Sequence, residues 1–103
     1  MFKLQPNPTF KAKVGISVAG ASRPAEIDVE FKYLSKEGIK DYFDNLQGKV
    51  DAEALAEIIV GWTGPDQAYS AEALALLLDN YPAAASDLFD CFRRELLEAK
   101  RKN

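Results

Sequence analysis

From Phe10 onward, apolar and polar residues alternate. Phe10, Ala12, Val14, Ile16 and Val18 fall on one face, and Lys11, Lys13, Gly15 and Ser17 fall on the other. A period of two is that of a half-buried strand. Ala19-Gly20-Ala21-Ser22-Arg23-Pro24 reads as a loop from its Gly, Ser and Pro content. Alternation then resumes, with Ile27, Val29, Phe31 and Tyr33 inward and Glu26, Asp28, Glu30 and Lys32 outward. The two runs predict a β-hairpin over about residues 9–33. Its polar faces carry opposite signs, so a register setting Lys11 opposite Glu30 and Lys13 opposite Asp28 is favourable. A lone hairpin is marginal in water, and its apolar face needs a cover.

The period changes after Ser35, and residues of about 35–100 supply that cover as helices. Ile39, Tyr42, Phe43 and Leu46 follow the i, i+3, i+4, i+7 stripe, with Ser35 as N-cap and Gly48 as the end. A second helix is expected from Asp51 as N-cap, with Leu55, Ile58, Ile59 and Trp62 on its stripe and Gly61 to Asp66 breaking it. Ser70 caps a third, with Leu74, Leu77, Leu78 and Tyr81 inward and Tyr69 stapled on Leu74. Pro82 suits the first turn of a fourth helix, running from about Ala83 to Lys100. Ala85, Leu88, Phe89, Phe92 and Leu96 form its inner face, and Lys100-Arg101-Lys102 suits its negative pole. The expected fold class is α+β, one domain over residues 1–103: an N-terminal hairpin, then about four short amphipathic helices, mainly helical.

Composition narrows the chemistry. The chain has no His and one Cys, Cys91, so the commonest zinc ligands and any intramolecular disulfide are missing. Residues 1–8 lack the apolar core of a signal peptide, and the longest apolar run, Ala73 to Leu78, is far short of the roughly 20 residues of a membrane span. No catalytic residues, metal or cofactor are expected, no membrane, and no nucleic acid, because no element carries a dense basic stripe. Charge is uneven: +3 over residues 1–36, −9 over 37–90 and +3 over 91–103. An acidic middle between basic ends allows head-to-tail self-association, which salt would then weaken.

Motifs for phosphate, dinucleotide or calcium binding and for nucleophilic catalysis are absent. Three carboxylate pairs at helical spacing, Glu53 with Glu57, Asp41 with Asp44 and Asp87 with Asp90, lie beside apolar stripes and read as solvated faces. Cys91, next to Phe92, reads as an ordinary, partly buried thiol. The segment from Gly61 to Ser70 stands out: it joins two helices and holds the only Trp. Trp62 plugs the core in one reading and is an exposed aromatic anchor in the other, and both hold if it sits at the core's edge. Trp62, Asp66, Tyr69 and Tyr81 are the candidate partner-binding residues.

Several stretches taken in order resemble one family. Leu4-Gln5-Pro6-Asn7-Pro8-Thr9-Phe10 leads into a strand, and Ile58-Ile59-Val60-Gly61-Trp62-Thr63-Gly64-Pro65-Asp66 contains a Gly-Trp-x-Gly-x-Asp turn. Leu74-Ala75-Leu76-Leu77-Leu78, Tyr81-Pro82 and a C-terminal helix ending in Lys100-Arg101-Lys102-Asn103 follow. The chain resembles the small tail assembly chaperones of long-tailed bacteriophages and prophages. That resemblance implies binding to the tape measure protein in the host bacterial cytoplasm, help in recruiting tail tube protein, and absence from the mature virion. It also implies self-association, and a longer product made by a frameshift near the end of the gene, of which this chain would be the unshifted form. The alternatives are a small structural tail component and a cytoplasmic regulatory or antitoxin-like binding protein.

Overall fold

The computed structural model describes residues 1–98. In chain order the elements are β1 (Thr9–Ile16), β2 (Ala25–Lys32), α1 (Lys36–Asp44), α2 (Asp51–Ala56), β3 (Ile59–Thr63), α3 (Ala71–Asn80) and α4 (Ala84–Leu97). The fold is α+β: a three-stranded antiparallel sheet in the order β1-β2-β3, with helices against one face.

The hairpin follows its alternation. β1 and β2 pair with Lys11 opposite Glu30 and Lys13 opposite Asp28, and Lys13 Nζ lies 3.3 Å from Asp28 Oδ1. Glu30 takes a different partner, since Thr9 Oγ1 donates to its Oε2 at 2.6 Å. Val14, Ile16, Ile27, Val29 and Phe31 are buried, whereas Tyr33 lies beyond the end of β2 and is exposed, edge-on to Phe10.

The second predicted helix is wrong in its latter half. α2 ends at Ala56, and Ile59–Thr63 form a third strand on β2. Leu55, Ile58, Ile59 and Trp62 satisfy a helical stripe, but residues 58–63 are nearly all β-branched or aromatic, which favours a strand. The deciding term is tertiary. Without β3, the second edge of β2 would leave backbone groups unpaired beside Val29 and Phe31, both fully buried. Val60 is the extra residue of a bulge: Phe31 faces Ile59 and Glu30 faces Gly61. Gly61 therefore lies inside a strand and ends no helix.

Helix ends follow their caps in two places. Ser35 Oγ accepts from Gly38 N–H, and Ser70 Oγ accepts from Ala73 N–H, both at 3.0 Å. Elsewhere they differ. Val50 is the N-cap of α2, and Asp51 lies in its first turn, where a carboxylate favours the helix dipole. α1 closes at Asn45, whose side chain donates to Asp41 O, and Gly48 takes its positive φ in the turn beyond. Pro82 precedes α4 instead of opening it. Lys100-Arg101-Lys102 lie outside the described residues.

α4 runs antiparallel to β1. Near its start, Asp87 Oδ2 accepts from Ser17 N–H at 2.8 Å; midway, Cys91 Sγ lies 3.6 Å from Lys13 O; further on, Phe92 stacks 6.3 Å from Phe10. Leu88, Cys91 and Phe92 are buried, while Ala85, Phe89 and Leu96 pack partly against the core. Cys91 is thus more enclosed than its sequence position indicated, because α4 also turns Ala84 and Cys91 toward the sheet.

Candidate functional site

One surface concavity is an open groove of about 420 Å³ between the turn end of the hairpin and α3. Ile16, Ile27, Trp62, Ala73, Leu77 and Tyr81 supply its apolar wall. Each is there for a local reason. Ile16 and Ile27 are inward positions at the end of β1 and the start of β2. Trp62 stands opposite Val29, which is inward, so the register of β3 turns its indole to the helix side of the sheet. Ala73 and Leu77 are one turn apart on α3.

The loop after β3 shapes the rim. Gly64 takes φ +117°, and a Cβ there would sit 3.2 Å from Ile27 Cγ2 and 3.3 Å from Ile27 Cα. Glycine lets the chain turn directly over Ile27. Trp62 Nε1–H donates to Gln67 O at 2.9 Å and so fastens the loop to the strand. Tyr69 packs edge-on against the indole, with ring centroids 5.1 Å apart. Burial pushes the Tyr69 phenol pKa above its ordinary value.

Trp62, Asp66 and Tyr81 line the groove together, and Tyr69 reaches it only through Trp62. Trp62 is half-buried, so it serves both as loop fastener and as groove wall. Tyr81, expected inward on the α3 stripe, is exposed at the helix C-cap. Four groove residues carry no mark of a site in the sequence: Ile16, Ile27 and Leu77 read as core positions, and Ala73 only as the start of an apolar run. The usable signal was the run Ala73 to Leu78, more apolar residues than one helix face can bury; Leu76 is left 46% exposed at the groove.

The groove's charge is one-sided. Glu26 and Asp66 line it, no Lys or Arg does, and neither carboxylate forms an ion pair among the described residues. A second depression is lined by Tyr42, Lys49, Glu57 and neighbours, and there Lys49 and Glu57 neutralise each other. The helical carboxylate pairs do not converge: Asp44 pairs with Lys40, Asp90 with Arg93 and Glu57 with Lys49, while Asp87 binds Ser17. Among the described residues, no group of three His, Cys, Asp or Glu is placed to hold a metal ion, and no helix is long and apolar enough to cross a membrane. Burial, and secondarily Glu95, raises the Cys91 thiol pKa, although Arg94 opposes the shift; this favours the unreactive thiol.

The geometry is that of an aromatic-walled apolar groove with an acidic rim. A family model described as phage tail assembly chaperone matches residues 1–103, the whole chain. No curated protein and no solved structure matches it. A match over the full length shows that the chain belongs to the phage tail assembly chaperone family.

Proposed function

We propose that this protein binds the tape measure protein of its phage in the host cytoplasm, keeps it soluble while the tail is built, assists recruitment of tail tube protein, and is absent from the finished particle. The observation that carries the reading is the open groove with Trp62, Asp66 and Tyr81 in its lining, on a member of an assembly chaperone family. A long, helical, partly apolar client offers side chains at helical spacing, and an apolar groove takes them as anchors. Many copies along one client act together, so each contact can be weak. Trp62, Asp66, Tyr69 and Tyr81 are the proposed contact set, with Tyr69 acting through Trp62. Recruitment of the tube protein is assigned to a longer, frameshifted product, which a slippery repeat in the codons for Lys100 to Asn103 would reveal.

Co-expression with the neighbouring tape measure protein tests the reading. The client should be soluble and co-purify with the wild-type chain. Tyr81→Asp should reduce recovery of the complex while leaving the fold intact, because Tyr81 is exposed. A client that is equally soluble alone, with no complex recovered, would sink the proposal. Finding the chain in purified particles would make it a structural tail component instead.

A further inference from the structure

Residues 1–8 run outside the packed fold and carry Met1, Phe2 and Leu4 in the open, with Phe2 86% and Leu4 92% exposed. Large apolar side chains held together in water on a short extended segment mark an interaction surface. The segment's one charged side chain is Lys3, which among the described residues bonds only the neutral Asn7, at 3.3 Å. The groove presents the complement: an apolar wall and two carboxylates, Glu26 and Asp66, with no basic residue in its lining among the described residues. We propose that Phe2 and Leu4 of one copy seat in the groove of a neighbouring copy, with Lys3 beside Glu26 or Asp66, joining copies head to tail.

The segment does not occupy its own groove: Phe2 and Leu4 are exposed, and none of residues 1–8 lines it. Tyr33 N–H donates to Pro8 O at 2.9 Å, which pins the base of the segment at the Thr9 end of β1. Ile16, at one edge of the groove, lies seven residue steps further along the strand, roughly 23 Å at about 3.3 Å each. Because segment and groove are different surfaces, the contact is heterologous, and repetition gives a ring or an open chain of copies. Docking does not depend on the client reading; where both hold, a client segment and a neighbour's Phe2 and Leu4 compete for one groove.

Sedimentation velocity over a concentration series tests the proposal with two variants, F2D/L4D in the segment and L76D at the half-exposed groove margin. Wild-type chain should associate, and each variant alone should associate at least about tenfold more weakly, from loss of buried apolar side chains. Mixed one to one, the variants should form a dimer that grows no further, since only one intact segment and one intact groove remain to meet. Far-UV circular dichroism checks that both are folded. In a second measurement, a synthetic peptide of residues 1–8 titrated into F2D/L4D should change the fluorescence of Trp62, the chain's single Trp. A monomeric wild type, a mixture that stays monomeric, or a peptide that leaves Trp62 unchanged would each overturn the proposal. No tape measure protein enters either measurement, so these outcomes are independent of the client experiment.

Discussion

Tyr42 joins α1 to α2 through one hydrogen bond, its hydroxyl donating to the Ala54 carbonyl at 2.6 Å. That carbonyl lies in the last turn of a six-residue helix and has no intrahelical partner to replace it. Tyr42→Phe keeps the ring and strands the carbonyl, which should cost about 1–3 kcal/mol in urea unfolding at neutral pH. Burial, and then the Glu57 charge, pushes the Tyr42 phenol pKa well above its ordinary 10.0. An unfolded tyrosine ionises near pH 10, whereas the folded one stays neutral to higher pH. The stability this adds is complete below pH 10 and is lost as pH rises past it. Cys91, also raised by burial, adds a loss in the same direction above about 9. Alkaline unfolding followed by circular dichroism should therefore fall off more gently above pH 10 in Tyr42→Phe than in wild type. Equal slopes would remove Tyr42 as the source.

At the level of elements, β3 is the decisive piece, because it makes the sheet three-stranded and aims Trp62 at the groove. Two glycines around it behave oppositely. Gly61 faces open space with ordinary strand backbone, so Gly61→Thr should stabilise the protein by a few tenths to about 1 kcal/mol through strand preference. Gly64 has φ +117° and Ile27 beneath it, so Gly64→Ala should destabilise by more than about 1 kcal/mol. Thermal melts of the two variants should shift in opposite directions. A helix through residue 61 predicts instead that Gly61→Ala outperforms Gly61→Thr, since alanine is the better helix former.

Across the whole molecule, Phe92 is where the layers meet. Its ring lies 5.5 Å from Phe31 of the sheet, 5.9 Å from Tyr42 of α1 and 6.3 Å from Phe10 of β1, and the side chain is fully buried. Phe92→Ala should cost about 3–5 kcal/mol, from lost burial and from the cavity left behind. Against a total stability of roughly 5–15 kcal/mol for a domain, that is a large share, and a lowered chemical-denaturation midpoint is the expected result. A change under about 1 kcal/mol would mean that the layers are held elsewhere. The proposed head-to-tail contact joins two different surfaces of the molecule, residues 1–8 and the groove.

Local chemistry was enough for the hairpin, its register, the Ser35 and Ser70 caps and most of the α4 inner face. Alternation of period two, opposite charges across the strands and a hydroxyl before a helix each act within one element or between neighbours in the chain. Family membership was also legible, because the ordered motifs span the whole length. The fate of residues 58–63 was not legible. Their spacing fits a helix and their side chains fit a strand, and the choice depends on β2, about 30 residues earlier, having an edge to pair. The groove was half legible. Trp62, Asp66, Tyr69 and Tyr81 are unusual enough in type or setting to be noticed. The grouping of Trp62, Asp66 and Tyr81 with Ile16, Ile27, Ala73 and Leu77 exists only once the sheet and α3 pack with a gap between them. That Phe2 and Leu4 stand exposed, clear of the groove, is likewise decided by the tertiary structure, because burial depends on what packs against a side chain and not on its type.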